Sequence, residues 1–307
     1  MKKINYLVFS AIAVLAIAVA SCSKSDNAVV APPAGGGTTT DPLAPSTTQY
    51  ALLAEGTGVW CGYCPVNGTE MMKQMTVKYP NVIGIAMHTT AGTTGSDKFY
   101  DNYSINGTFL SNFSSGGVPN FYVNNTNSGQ SPESDIIDAL AATAKAGVKH
   151  TSTNDGTKWT INVRAKFFAD TTGTFYLSSY AIQNHIAAKK KKSLDQHDYV
   201  GILQTLYTGD TTTTWKSDQA SDGNGGFYFK KDDKYYHEHI LTTQPDGITS
   251  KWGQKLDSTN FKKDYQIDYT FTITSSSTWY NTSDVEIISI LWKKVGSKYN
   301  FINGYKD

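Results

Sequence analysis

Two features of the sequence predict an α/β domain followed by an all-β sandwich domain. Between residues 48 and 147, a strand pattern, a helix pattern and a second strand pattern follow one another, which is typical of a parallel strand pair joined by a helical crossover. From residue 148 onwards, apolar and polar side chains alternate in short runs separated by loops rich in Gly, Asn, Asp, Ser and Thr. The 307 residues leave room for two domains, and 19 Tyr and 13 Phe favour β structure.

Residues 1–21 have the pattern of a signal peptide. Two lysines precede an apolar run at residues 7–20, which is too short for a comfortable membrane span. The run ends in Val19-Ala20-Ser21-Cys22, which resembles the bacterial lipobox. By that resemblance Cys22 is lipidated and begins the mature protein, and Ser23 after it resembles a signal for sorting to the outer membrane. The alternative is an ordinary cleaved signal peptide with a coincidental cysteine.

Residues 22–47 comprise the lipidated cysteine and a predicted flexible tether. The segment contains Ala-Pro-Pro-Ala followed by three glycines and three threonines, and such a composition cannot bury a core. Acyl chains on Cys22 would anchor the protein without a spanning helix. We therefore expect a lipid-anchored protein of the cell envelope, at the outer membrane, facing either the periplasm or the outside.

The charge balance argues against a nucleic-acid partner. The chain has 27 basic and 26 acidic side chains, a net charge of +1, and loss of the two leader lysines leaves 25 basic side chains and a net charge of −1. Proteins that bind nucleic acid usually carry a marked basic surplus. We therefore predict no nucleic-acid partner.

The first folded domain, residues 48–147, is organised around Trp60-Cys61-Gly62-Tyr63-Cys64-Pro65. A strand pattern precedes this motif, and a helix pattern that begins near Pro65 follows it. At a helix start, the backbone N–H groups and the helix dipole favour the thiolate of the first cysteine. A second thiol nearby can resolve an adduct formed by the first, so the pair can act as a redox couple. Because Cys22 is the only other cysteine, the pair is either redox-active or one isolated structural disulfide.

Further elements are predicted downstream in this domain. Residues 81–88 form an apolar run typical of a buried strand, and a short helix is predicted around residues 96–103. Gly117-Val118-Pro119 precedes another strand, and a cis peptide bond at Pro119 would be a deliberate feature. Ser134 is predicted to cap a helix that ends at Gly147.

These motifs resemble those of a known family. A CxxC at a helix start, followed by Val-Pro before a later strand, is similar to the thioredoxin fold. A narrower match is the twenty-eight-kilodalton outer membrane protein related lipoprotein family of Bacteroidetes, which the sequence resembles at residues 55–65, at residues 117–119 and in its β-rich second domain.

The resemblance implies a role for each matching residue. Cys61 would be the attacking thiolate and Cys64 the resolving thiol, and Pro119 would be a cis-proline facing the sulfurs. Glu55, six residues before Cys61, would match the buried acid that relays protons in thioredoxins. The predicted substrate-binding residues are Trp60, Tyr63 and Val118, whose backbone would face an extended substrate. The expected partners are protein thiols or disulfides and an unknown redox partner, with no cofactor.

Other interpretations of the same residues remain open. A CxxC can bind zinc, but tetrahedral zinc needs two further ligands and the sequence has no second CxxC, so we predict no metal. The pair could also be a permanent disulfide on a scaffold that only binds ligands, since a fold does not determine function. Glu55 could be a partly solvated strand residue. His88, at the end of a predicted strand, could approach the cysteines, but an ordinary hydrogen-bonded loop histidine is favoured.

The second domain, residues 148–307, is predicted to be a sandwich of antiparallel sheets. At residues 159–167 every second side chain is apolar, and similar runs recur at 174–183, 226–229, 235–241, 265–274, 285–292 and 299–305. His237 and His239 fall within one of these runs, so they would share a face of a strand. Surface or interface histidines are favoured over a metal site there because no third ligand is evident.

The sequence therefore predicts a lipid-anchored thiol–disulfide oxidoreductase. The competing hypothesis is a binding or adhesion lipoprotein in which the CxxC is structural and the sandwich binds a partner or a glycan. Solvent access to Cys61 is the feature that separates the two hypotheses.

Overall fold

The computed structural model describes residues 41–90, 97–113, 117–187 and 236–307, together with three short strands at 205–206, 217–218 and 227–229. The predicted signal peptide, Cys22 and the first part of the tether lie outside the described residues. None of the described helices is long and apolar enough to cross a membrane.

The described part of the chain is mostly β-strand, with few helices. The strands are β1 (Ala51–Thr57), β2 (Val82–His88), β3 (Asn120–Val123), β4 (Thr126–Gly129), β5 (Ala146–Asn154), β6 (Lys158–Phe167), β7 (Thr171–Thr172), β8 (Thr174–Gln183), β9 (Ile186–Ala187), β10 (Thr205–Leu206), β11 (Ser217–Asp218), β12 (Phe227–Phe229), β13 (Tyr236–His237), β14 (Ile240–Thr243), β15 (Gln254–Lys255), β16 (Asn260–Phe261), β17 (Gln266–Thr274), β18 (Val285–Val295) and β19 (Lys298–Lys306). A π-helical turn (Pro65–Glu70) runs directly into α1 (Met71–Lys78), and the other helices are α2 (Lys98–Asn102), α3 (Ile105–Phe113) and α4 (Glu133–Ala141).

One large sheet has the strand order β19-β18-β8-β14-β2-β1-β3-β4, with β15 paired to β8. Within it β1 and β2 are parallel, as the helical crossover between them requires, and β3 is antiparallel to β1. Strand β14, from the later part of the chain, is parallel to β2 and joins it to β8. The large sheet therefore contains strands from before and from after residue 147. The boundary between two domains at that position stays a prediction.

A second sheet, with the order β17-β6-β5, packs against the β8–β18 part of the large sheet. Every second side chain of β6 is buried, as the alternation at residues 159–167 predicts. These buried side chains share a core with the facing residues of β8 and β18, which include Phe175, Leu177, Ile287 and Leu291. The sandwich-like arrangement of sheets is thus confirmed.

Helices cover both faces of the β1–β2 pair. Alternate residues of β1 point to opposite faces, so Leu52 packs towards α3 while Leu53 packs towards α1 and α4. The α3 side also contains Phe109, which stacks on Trp252 at 4.5 Å between ring centroids. Residues from both parts of the chain therefore build this core.

Helix α4 differs from its prediction at both ends. Ser134 lies inside the helix rather than capping it, since the N-cap residue is Pro132. The helix ends at Ala141 rather than Gly147, because residues 146–154 form β5 and pair with β6 along their whole length. Local helical spacing was outweighed here by a nine-residue ladder of sheet hydrogen bonds.

The predicted strand at residues 235–241 is broken. Strand β13 ends at His237 and β14 begins at Ile240, and His239 between them has a φ of +57°. The ring of His237 packs against Phe99 at 5.1 Å, whereas Nε2 of His239 lies 3.4 Å from the hydroxyl of Thr76. The expectation that the two histidines share a strand face is therefore wrong.

The last residues of the predicted tether contact the folded part of the chain. Asp41 forms an ion pair with Arg164 on β6. A side chain at Gly147 would collide with the carbonyl of Ser46, which shows how closely this segment approaches β5. The flexible tether stays a prediction for the residues before 41.

Candidate functional site

The Cys61–Cys64 pair lies between the end of β1 and the π-helical turn. Strand β1 ends at Thr57, and a tight turn in which the Cys61 N–H donates to the carbonyl of Gly58 at 3.0 Å leads to the first cysteine. Cys64 is the N-cap residue of the π-helical turn, so strand, CxxC and helix follow one another as predicted. The two cysteines form a disulfide with their Cα atoms 5.4 Å apart.

The two sulfur-bearing residues differ slightly in exposure. Cys61 is 5% exposed and Cys64 is fully buried at 0%. An attacking group from solvent would therefore reach Cys61 before Cys64, which fits the order of roles that the sequence predicts. Both values are low, so the pair lies just below the surface.

The segment before β3 faces the disulfide. The Val118–Pro119 peptide bond is cis, and the carbonyl oxygen of Val118 lies 3.6 Å from Sγ of Cys61. The structure therefore brings together Cys61 and the Val-Pro pair, which are 57 residues apart in the chain.

Glu55 is buried in the middle of β1, between β2 and β3. Glu55 is 1% exposed, and no hydrogen-bond donor among the described residues reaches its Oε1 atom. Burial raises the pKa of Glu55 to about 8, although a hydrogen bond with the Thr57 side chain acts in the opposite direction. The group is therefore a protonated acid at neutral pH.

Gly68 connects Glu55 with the rest of the site. A Cβ atom at Gly68, in the π-helical turn, would collide with Oε1 of Glu55 and would lie 3.2 Å from Cβ of Pro119. The carboxyl group therefore lies against the π-helical turn that follows Cys64, close to Pro119. Only glycine allows this approach, because any side chain would occupy the space of the carboxyl.

The two aromatic residues of the motif have different surroundings. The Trp60 ring covers Gly58, and its indole N–H donates to the carbonyl of Thr89 at 2.8 Å. Tyr63, between the cysteines, is 60% exposed. Trp60 is therefore held in place, while Tyr63 is presented to solvent beside the disulfide.

His88, at the end of β2, pairs with Asp97. Its Nδ1 lies 2.8 Å from Oδ2 of Asp97, and both side chains are buried. The same Asp97 oxygen accepts a hydrogen bond from the N–H of Val59, two residues before Cys61. Among the described residues, no three His, Cys, Asp or Glu side chains converge on a point that could hold a metal ion.

Comparisons with known proteins give similarity in fold alone. No family model matches the sequence. No curated protein matches it either. Among solved structures, the chain is similar to HBP35 of Porphyromonas gingivalis, with 16% identity over 86% of this chain and 76% of that chain and a TM-score of 0.58. A protein of Agrobacterium tumefaciens matches at 11% identity over 85% of this chain and 95% of that chain, with a TM-score of 0.42.

The sequence located most of this site, but not its supporting residues. The structure brings Cys61, Cys64, Val118, Pro119 and Glu55 into one region, as the motifs predicted. Gly68 was missed because a single glycine in a helical pattern carries no local signal of what faces it. The role of Asp97 as a helix cap was readable from its position before α2, but its pairing with His88 depends on a contact between distant elements.

Proposed function

We propose that this protein is a thiol–disulfide oxidoreductase with a thioredoxin-like site, anchored in the cell envelope through a lipid on Cys22. The observation that carries the proposal is the grouping of three other features around one disulfide. A cysteine pair lies at a helix start, a cis-proline segment faces it, a buried acid lies against Gly68 of the same helical turn, and an exposed tyrosine lies between the two cysteines. A purely structural disulfide requires none of the other three.

The proposed reaction begins from the disulfide. A substrate thiolate attacks Sγ of Cys61, the more exposed of the two cysteines, and the Cys61–Cys64 bond breaks. The Cys64 sulfur leaves as a thiolate and takes the proton of Glu55, which the raised pKa retains at neutral pH. The second substrate thiolate attacks the substrate sulfur of the mixed disulfide, which forms the substrate disulfide and releases Cys61 as a thiolate. The two protons that the substrate thiols lose return through solvent to Cys61 and to Glu55.

These reaction steps together transfer two electrons and two protons from a substrate dithiol to the protein. Run in reverse, with Cys61 attacking a substrate disulfide, it reduces the substrate and restores the protein disulfide. A dithiol reductant or a disulfide oxidant must return the pair to its starting state in either direction. The proposed substrates are envelope or extracellular proteins, which carry disulfides because of their oxidising surroundings.

The cysteine inventory supports the proposal. The chain contains three cysteines, and lipidation would occupy Cys22. No bystander thiol would then remain to exchange with the pair. The lipid anchor has its own test, because Cys22→Ser should yield a soluble, unacylated protein, and unchanged membrane attachment would contradict the anchor.

One observation favours the competing function. Cys61 is only 5% exposed, as a permanent structural disulfide would be. In that case the protein would be a binding lipoprotein, and the sandwich would contact its partner or glycan. The two functions differ in whether Cys61 exchanges with an external disulfide.

A trapping experiment separates the two functions. Cys64→Ala removes the resolving sulfur, so mixed disulfides between Cys61 and envelope proteins should accumulate and disappear on treatment with dithiothreitol. The matched control is Cys61→Ala, which keeps one cysteine of the motif but places it at the fully buried position. Adducts with Cys64→Ala and none with Cys61→Ala would support the oxidoreductase. Absence of adducts with both variants would support the binding lipoprotein.

A further inference from the structure

A buried histidine–aspartate pair contacts the loop that carries the cysteines. His88, at the end of β2, and Asp97, at the start of α2, are 2% and 0% exposed, and Nδ1 of the histidine lies 2.8 Å from Oδ2 of the aspartate. A buried carboxylate remains charged only where hydrogen bonds and a partner compensate for its lost hydration. The buried carboxylate of Asp97 therefore needs hydrogen-bond donors that compensate for its lost hydration.

Backbone N–H groups supply such donors to Asp97. Its Oδ2 accepts from the N–H of Val59 at 2.9 Å, and its Oδ1 accepts from Phe99 N–H at 2.9 Å and from Tyr100 N–H at 3.2 Å. Burial alone would raise the pKa of Asp97, but His88 and the backbone donors of Val59 and Tyr100 together hold it below its usual value. One carboxylate thus ties the cysteine loop to the histidine and to α2.

His88 is itself fixed by the surrounding structure. Its backbone N–H donates to Oδ1 of Asn106 at 3.0 Å, and Nδ2 of Asn106 donates to the carbonyl of Leu241 on β14. The His88 ring packs on Phe99 at 4.5 Å. The loop before Cys61 is therefore attached to a rigid support built from β2, α2, α3 and β14.

We infer that Asp97, held by His88, is a positioning residue that sets the thiol–disulfide equilibrium of the Cys61–Cys64 pair. In the oxidised protein the disulfide closes the loop covalently. In the reduced protein that closure is gone, and the Asp97–Val59 hydrogen bond becomes one of the contacts that keep Cys61 in place. Weakening this contact therefore costs the reduced form more than the oxidised form. The inference rests on the proposed function for its biological meaning, but the equilibrium exists whether or not the protein is a catalyst.

The test is a redox titration of the full-length protein with dithiothreitol. Dithiothreitol gives two electrons and two protons to the Cys61–Cys64 disulfide. The dithiothreitol closes to its cyclic disulfide, and the protein disulfide opens to two thiols. Asp97→Asn keeps a good helix cap but replaces the carboxylate by a neutral amide. We expect the equilibrium constant between the dithiol and the disulfide to shift about tenfold towards the disulfide. For a two-electron couple, this shift makes the reduction potential about 30 mV more negative.

A matched control is available in a second buried histidine. Nε2 of His150 on β5 lies 3.2 Å from Oδ2 of Asp307, and β5 belongs to the second sheet rather than to the large sheet that contains β1 and β2. Asp307→Asn should leave the potential unchanged. An unchanged or less negative potential in folded Asp97→Asn, or an equal shift in Asp307→Asn, would overturn the inference.

Variants at His88 keep the inference testable if Asp97→Asn does not fold. His88→Leu removes the donor to Asp97, so the potential should move in the same direction. His88→Asn restores an N–H donor near the position of Nδ1, so the equilibrium constant should return to within about twofold of the wild-type value. Equal potentials for the Leu and Asn variants would overturn the inference. Failure of the proposed function would appear separately, as an absence of trapped adducts with Cys64→Ala.

Discussion

Glu55 shows how a single buried carboxyl group makes stability depend on pH. In the unfolded chain it would ionise near its ordinary pKa of 4.5, whereas in the folded protein it stays protonated up to about pH 8 because it is fully desolvated. Between these values the folded state binds one more proton than the unfolded state. The free energy of unfolding must therefore fall as the pH rises through this window, by about 4 kcal/mol in total.

Glu55→Gln should remove this dependence. Glutamine is uncharged at every pH and nearly the same shape, so the contribution of residue 55 to the free energy of unfolding should be equal at pH 5 and pH 8. Urea unfolding of the oxidised protein at both pH values measures the effect. The wild-type protein should lose more stability than the variant between the two values.

The matched control is Glu133→Gln. Glu133 is an exposed carboxylate whose pKa is lowered by hydrogen bonds from Lys78 and Tyr79. Its contribution is present above its ordinary pKa and is lost as the pH falls, so this variant should not remove the loss between pH 5 and 8. If Glu55→Gln and Glu133→Gln behave alike in that window, Glu55 is ionised at neutral pH and the proton transfer proposed for it is wrong.

At the scale of elements, the π-helical turn depends on Gly68. A methyl group there would collide with Oε1 of the buried Glu55 and would lie 3.2 Å from Cβ of Pro119. We expect Gly68→Ala to lower the free energy of unfolding by about 2–3 kcal/mol, in the range of other overpacked sites. The measurement is denaturant unfolding at pH 5, where Glu55 is protonated.

Two comparisons show whether the collision with Glu55 is the cause. Gly107 in α3 has only ordinary contact with Tyr100, at 3.5 Å from a Cβ, so Gly107→Ala should be neutral or slightly stabilising. In the Glu55→Ala background, Gly68→Ala should cost much less because the carboxyl is gone. Additive effects of the two changes would show that Glu55 and Gly68 are not coupled.

The elements also show how far the sequence alone leads. Strand β8 occupies Thr174–Gln183 as predicted, and the alternation of β6 correctly identified its buried face, because both signals are local. The end of α4 differs from its prediction because Gly147 is typical of a helix C-terminus, whereas pairing with β6 places Ala146 onward in a strand. The bend at His239 was missed because a positive φ at a histidine leaves no trace in an apolar pattern.

At the scale of the whole molecule, the order of strands in the large sheet was beyond sequence reasoning. Sheet order depends on pairings between segments far apart in the chain, and nothing local to Ile240 indicates that it pairs with Ala86. The consequence is that the cysteine site and the later strands share one sheet and one core. Around Phe109 that core includes Tyr180, Trp252 and Trp292, all from the later part of the chain.

This shared core predicts that the parts before and after residue 147 unfold together. A fragment ending at residue 147 would expose the edge of β2, which β14 covers, and the face of Phe109, and the lost aromatic burial is worth several kcal/mol per large side chain. We expect the fragment to show no cooperative unfolding, and the full chain to show one transition. Denaturant unfolding of the full chain can be followed by tryptophan fluorescence and by alkylation of Cys61 under reducing conditions. A single transition requires the two curves to coincide. Two separate transitions, or a folded fragment, would show instead that the predicted boundary at residue 147 divides independent folding units, and that β14 only docks onto a first domain already complete.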